Sequence, residues 1–459
     1  MAQVSSEIKL SRRDAPSGRR HRPLPLVGLG TALVLVTYVT PVANTPATVA
    51  DLGAGAGATA WMLSSMSLGL AAALLPSGAV GDALGRRRAY VVGLALMGLG
   101  ALVCAVSQET VLFVAGRIVE GVGGAAILAC GLAVLAHAFA DPAARAHATG
   151  IWGASVGVGI AAGGILAAAL GSVGTGWRES YVVVGVLCLA LVPASARALP
   201  ESSAAHPRRL DLPGLVVLVA AMTVLLSGIT RARGGISGSV VVLLLVAVVL
   251  LAGFVLIEAR VREPMVEPRL AAAPGFVAAN VGALVVGLGI IGMVSTTPTY
   301  VQTALGGSLW VATAQVLFWA VSSVATSLVV RRLRIPISGP HLIAVSLVVV
   351  AVGELLALGV HPGSSPWRLA PAFVVAGLAT GILNAVMGRE AVANVPPDRA
   401  AMGSGSNNTA RYLGAACGIT VFSLVTSHVG WDQAVWFAAG ISLVGAVGCL
   451  LDGFRNKQA

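Results

Sequence analysis

The chain has 459 residues, of which 57% are apolar, only 10% are charged and 57 are glycine. Soluble domains carry roughly 25% charged residues, so this composition cannot clothe a water-facing surface and excludes a soluble enzyme, a disordered chain and a secreted disulfide scaffold. The net charge of +11 does not indicate a nucleic-acid partner either, because the arginines stand in short clusters between apolar runs, such as Arg86-Arg87-Arg88 and Arg331-Arg332-Leu333-Arg334, as they do in the inner loops of membrane proteins.

A polar, basic tail (1–23) leads into an apolar run at about 24–44 that is long enough to span a bilayer. No small-residue cleavage site follows, so it reads as an uncleaved first helix. Further runs fall at about 60–80, 89–107, 110–137, 146–171, 178–198, 212–230, 239–257, 275–297, 310–330, 339–360, 369–388, 403–427 and 433–452, each near the ~20 residues a spanning helix needs. The expected fold is an all-α polytopic membrane protein of fourteen spans. The longest polar interruptions, linkers 199–211 and 258–274, divide it into a six-helix bundle (24–198), an inserted helix pair (212–257) and a second six-helix bundle (275–452), with a short C-tail (453–459). Two bundles around a central path are the organisation of transporters built from repeats.

The positive charges orient the chain. If the N-terminus is cytoplasmic, only Arg178, Arg231, Arg233 and Arg368 fall in outer connections, and Arg117 and Arg411 lie within spans. Nearly every other Lys and Arg is then inside, which places both termini in the cytoplasm of a multi-pass inner (plasma) membrane protein. The five cysteines (Cys104, Cys130, Cys188, Cys417 and Cys449) are scattered through apolar runs and read as buried free thiols without metal or redox spacing. No Walker A sequence, zinc spacing or Gly-x-Ser-x-Gly elbow is present, so neither ATP-driven transport nor hydrolysis has support.

The connection after the second span reads Gly78-Ala-Val-Gly-Asp82-Ala-Leu-Gly85-Arg86-Arg87-Arg88. Its glycines allow a tight turn and close helix approach. Asp82 stands beside three guanidiniums and could also meet a neighbouring helix N-terminus, where the dipole favours an anion. Such a cluster can latch two half-bundles together in one conformation and release them in another; a simple positive-inside turn is the alternative.

The segment Gly78-x-x-x-Asp82-x-x-Gly85-Arg86-Arg87 resembles motif A of the major facilitator superfamily. Fourteen spans split six, two, six resemble its fourteen-helix drug:proton antiporter branch. Arg117-Ile-Val-Glu120-Gly121-Val-Gly123-Gly124 is similar to the helix 4 motif B, and Gly150-Ile-Trp152 through Gly163-Gly164 to the helix 5 motif C. Pro298-Thr-Tyr300-Val-Gln302 and Asn408-Thr-Ala-Arg411-Tyr-Leu-Gly414 look like the branch's helix 9 end and helix 13 pattern. Two positions depart from the family. Thr37 stands where helix 1 usually carries an acid, and Ile160 stands where motif C has proline. The resemblance implies alternating access by rocking bundles, with export coupled to proton entry and no bound cofactor or metal.

Four charges are placed well inside spans: Arg117, Glu120, Glu354 and Arg411. Each costs roughly 2.5–3.5 kcal/mol at a helix centre on insertion scales. Arg117, Glu120, Gly121 and Gly124 share one helical face, so Arg117 and Glu120 can pair, either as a static tie or as a proton-coupling device. Glu354 is expected near the outer end of a peripheral helix, within reach of headgroups or water. Arg411 is expected to gate or to face substrate, with Asn408 and Gly414 on the same helix. Gly153, Gly157, Gly159, Gly163 and Gly164 are expected to let the fifth span pack and slide. Trp61, Trp152, Trp177, Trp310, Trp367 and Trp431, near span ends, read mainly as interface anchors.

The function expected is that of a monomeric membrane transporter, not an enzyme, that exports small amphipathic organic compounds and so confers drug or antibiotic resistance. Two other readings stay open: an uncoupled facilitator or importer of the same fold, and a non-transporting membrane enzyme or sensor.

Overall fold

The computed structural model describes residues 23–455 apart from 55, 140, 171–175, 204–210, 233–234, 236, 262–263, 265–272, 274 and 331–336. Nearly all of the N-terminal tail, most of the C-tail and both linkers, and the Arg331–Arg334 cluster lie outside the described residues.

Each apolar run becomes a helix. The first six are α1 (Pro23–Asp51), α2 (Ala56–Leu84), α3 (Arg86–Val106), α4 (Thr110–Ala138), α5 (Pro142–Leu170) and α6 (Arg178–Ala198). A pair follows, α7 (Leu212–Ala232) and α8 (Gly238–Glu258). The remainder are α9 (Phe276–Thr303), α10 (Leu309–Val330), α11 (Gly339–Leu355), α12 (Ala370–Ala393), α13 (Ala400–His428) and α14 (Trp431–Arg455). Thirteen are long and apolar enough to cross a membrane, while α11 has only 17 residues. The eleventh run was expected to stay helical to about 360. It stops at Leu355 because the chain turns there, with Gly359 at φ +71° ahead of His361-Pro362-Gly363. A π-helical turn, Gly287–Ile291, interrupts α9.

The motif A region differs from its expected form. Residues 78–84 are not loop but the last turns of α2, since nothing from Gly78 to Leu84 breaks a helix. The turn itself is Gly85, at φ +119°, a conformation that L side chains rarely adopt. A Cβ there would also press on the Glu201 carboxylate.

Helices α1–α6 pack among themselves, chiefly α2 and α3 on α4, α5 on α1 and α6 on α3. Helices α9–α14 do likewise, with α10 and α11 on α12, α14 on α11 and α13 on α9. Between the two sets, α2 and α4 meet α13, and α5 meets α10 and α12. The pair α7–α8 lies over the α2–α13 seam, where Leu218, Met222 and Phe254 pack with Ala72, Leu75 and Met402. Little of α8 is buried, and Val242, Leu245, Val248 and Val249 are exposed, as suits a helix whose surroundings are lipid.

Remote side chains tie the helix ends. The Tyr90 hydroxyl donates to the Leu26 carbonyl, joining the starts of α3 and α1. Asp452 on α14 accepts from the N–H groups of Gly275 and Ala278 at the start of α9. Together with the start of α13 and the ends of α2 and α12, these form one face of the molecule, here called the terminal face.

Candidate functional site

On the terminal face, Asp82 reaches from one set of six helices to the other. Its Oδ1 accepts from Ala401 N–H at 3.1 Å and its Oδ2 from Met402 N–H at 2.9 Å. These are free donors in the first turn of α13, so Asp82 serves as a remote N-cap and places a carboxylate at the positive end of the helix dipole. Arg86 Nε donates to Oδ1 at 2.8 Å, and its Nη2 donates to the Pro397 carbonyl at 2.6 Å. Gly78 makes the approach possible, since a Cβ there would run into the Ala401 carbonyl. Arg87 lies beside Glu201, whose Oε1 accepts from the Arg87 N–H. Above this contact the Ser404 hydroxyl donates to Leu128 O, and Trp152 packs on Gly388. These contacts join the two halves at the terminal face.

Helix α5 carries two glycine stripes with different partners. Gly153, Gly157 and Gly164 face Asn384, Ala320 and Thr313 across the midline. Gly159 and Gly163 face the α1 backbone at Ala32 and Val36. A helix free of side chains on both sides brings two backbones close. Helix α5 runs uninterrupted through Ile160, the position where proline was missing.

A cavity of about 100 Å³ lies between the halves. This is smaller than the roughly 300–1,000 Å³ clefts that hold drug-sized ligands, so the walls stand close together in this conformation. Tyr38 and Ile160 contribute from the first set, and Trp319, Asn384, Arg411 and Tyr412 from the second. The rings of Tyr38 and Tyr412 meet edge to face across the midline at 5.6 Å. Arg411 Nη1 donates to Asn384 Oδ1 at 3.0 Å. Asn408 does not line the cavity; its Nδ2 donates to Ser404 O on its own helix. Gly414 and Gly418 press on Leu284 and Leu288 of α9.

Arg117 and Glu120 are paired but stand apart from the cavity, enclosed by α1, α3, α4 and α6. Arg117 Nη1 donates to Glu120 Oε2 at 2.6 Å, and its guanidinium lies over the Tyr181 ring. The same Nη1 donates to the Thr37 carbonyl at 3.0 Å. Pro41 explains that contact: proline has no N–H, so the carbonyl one turn earlier loses its helical donor. The pair thus holds α1 one residue from Tyr38, which lines the cavity. Thr37 itself spends its hydroxyl on Leu33 O.

Three expectations are corrected. Glu354 is fully buried, not near headgroups or water. Helix α11 is peripheral through Val345, Val348, Val349 and Val352, but Glu354 is on its inner face, where Oε2 accepts from Ser442 and Oε1 faces Gly289. Trp152, Trp177 and Trp431 are buried, unlike the exposed Trp310 and Trp367. Trp177 packs on Phe113 and Tyr181 and donates to Asp51, and Trp431 stacks on Tyr300 while donating to Ala357 O. Cys417 is half-buried, whereas the other four cysteines are buried. Sequence reasoning also missed the π-helical turn of α9; its one signal was the Gly287-Leu-Gly289 spacing, which clears both sides of the helix.

A family model described as Major Facilitator Superfamily matches residues 26–418, with a second match over 338–457. The chain is similar to the probable actinorhodin transporter of Streptomyces coelicolor, at 29% identity over 85% of this chain and 69% of that protein. It is also similar to the puromycin resistance protein of Streptomyces alboniger, at 29% identity over 94% of this chain and 91% of that one. Among solved structures, the human organic anion transporter MFSD10 superposes with a TM-score of 0.69 at 17% identity, covering 95% of this chain and 100% of that chain.

Proposed function

Because the chain belongs to the major facilitator superfamily, and is therefore a membrane transporter and not an enzyme, we propose that it exports small amphipathic organic compounds by alternating access coupled to proton entry. The two sets of six helices are the moving bodies, and α7–α8 is an inserted pair that rides on the α2–α13 seam. The terminal face is cytoplasmic in this reading, so both termini are inside the plasma membrane and the joined end is the inner gate.

The observation that carries the proposal is the Asp82 cap on α13. It is a bond between the two halves at one end, with a cavity behind it. A path that opens alternately to the two sides needs such a closure, made in one state and broken in the other. The relatives, named for transport of or resistance to antibiotics, favour outward movement of a drug or secondary metabolite. Glu120 is the acid best placed for proton coupling: it touches Arg117, which holds the backbone of α1 next to the cavity. Its protonation would weaken the pair and loosen α1.

The test is efflux from proteoliposomes loaded with amphipathic compounds, puromycin among them, with and without an imposed pH gradient. The proposal expects net outward movement against a concentration gradient only when protons can flow the other way. Equilibration unaffected by the pH gradient would make the protein a facilitator.

A further inference from the structure

The cavity carries charge of one sign. Among the described residues, Arg411 is the one charged group in its lining, and no Asp or Glu borders it. The residue is 5% exposed, and no described carboxylate forms an ion pair with it. Glu354, in the same half of the protein, is turned toward Ser442 and Gly289. A buried, uncompensated guanidinium is costly, and its place in the wall of the cavity between the halves gives that cost a use.

The unsatisfied atoms define what would bind. Asn384 occupies Nη1, whereas Nε and Nη2 have no acceptor among the described residues. Nε–H and the facing Nη2–H are parallel donors on one edge of the guanidinium, the fork that takes a carboxylate through two bonds. The Asn384 contact fixes the guanidinium by its other end. Leu35, Val156, Ile160 and Trp319 form an apolar surround, with Tyr38 and Tyr412 at the midline. Once the close-set walls part, a flat hydrophobic body would be accepted there, and only the arginine fork demands a charge.

We propose that this cavity is a binding site for organic monoanions: flat, largely aromatic bodies bearing one carboxylate or comparable oxyanion, seated on Nε and Nη2 of Arg411. The inference names the substrate class of the transport path proposed above, and rests on that reading only for the movement of the bound anion across the membrane. Cations are disfavoured, since the site supplies no counter-charge for them.

The test is calorimetric titration of the full-length protein in nanodiscs with 1-naphthoate and with 1-naphthamide, which share a ring system and differ in charge. Wild type is expected to bind naphthoate at least about tenfold more tightly. Arg411→Gln should remove that preference, chiefly by weakening naphthoate binding, while Arg411→Lys, a charge without the fork, should fall between. Asn384→Asp provides an isosteric check: it sets a carboxylate against the guanidinium and should abolish the preference with arginine in place. Equal affinities in wild type, binding of neither compound, or a preference that survives Arg411→Gln or Asn384→Asp would overturn the proposal. Binding needs no gradient, so a protein that selects naphthoate through Arg411 but does not export it would sink the efflux reading and leave the site standing.

Discussion

Between α1, α3, α4 and α6, Arg117 and Glu120 lie 2.6 Å apart, both fully enclosed. Around α9, by contrast, Arg411 and Glu354 are also buried, but on different sides of the helix. The π-helical turn of α9 lies between them, with Gly287 against the Arg411 backbone and Gly289 against the Glu354 carboxylate. The first half of the protein therefore neutralises its buried charges internally. The second keeps a cation at the cavity and an acid behind it, neither with an oppositely charged partner among the described residues. A charge paired within the protein already has its partner, whereas a separated charge can take one from outside.

Removing one member of the pair should have the largest effect. Arg117→Leu leaves Glu120 buried alone, which costs about 3–5 kcal/mol, and should abolish most folded protein in a thermal scan in detergent. The double change Arg117→Met with Glu120→Leu should restore much of that stability, since a buried pair is often no better than matched apolar residues. A stable Arg117→Leu protein would show that the pair is not a structural tie.

Two remote helix caps extend the comparison. Asp82 caps α13 across the halves, and Asp452 caps α9 within one half. Asp82→Asn keeps the shape but loses the charge at the helix end, worth about 1 kcal/mol. It should slow efflux several-fold while ligand affinity changes less than about twofold, because the closed inner gate is less favoured. Asp452→Asn should lower thermal stability by a similar energy and leave transport unchanged. If Asp452→Asn slows transport as much as Asp82→Asn, the distinction between moving and fixed contacts fails.

The smallest effect is expected at Glu354. Glu354→Gln retains a hydrogen-bonding group beside Ser442 and should change stability by no more than about 1 kcal/mol, with near wild-type efflux. Loss of uphill efflux in this variant would transfer the coupling role to the second half.

The helices were legible because every spanning segment is an apolar run of bilayer length, and the Asp82 and Arg117–Glu120 features because charge is rare in such runs. Which way a residue faces was much less legible. In a soluble protein one face of a helix is polar, so periodicity reveals its orientation. Here lipid and protein core are equally apolar, and α11 reads the same on both sides, so nothing in that run shows that Glu354 faces inward. The informative residues were the small ones: Gly353 lets α11 close on Ala376, and Gly289 makes room for the Glu354 carboxylate. The tryptophans near span ends misled for the same reason, since belt position does not separate Trp310 from the buried Trp177. The cavity was illegible because its walls come from α1, α5, α9, α10, α12 and α13, whose juxtaposition is a matter of packing.

In the proposed mechanism a proton taken up by Glu120 drives uphill export. This step is tested most directly by Glu120→Gln in proteoliposomes under an imposed pH gradient, with substrate exchange at equal concentrations measured in parallel. The account predicts that the variant exchanges substrate down its gradient yet no longer concentrates it, whereas wild type does both. A Glu120→Gln protein that still concentrates substrate would make Glu120 a structural partner of Arg117 and place the coupling group elsewhere.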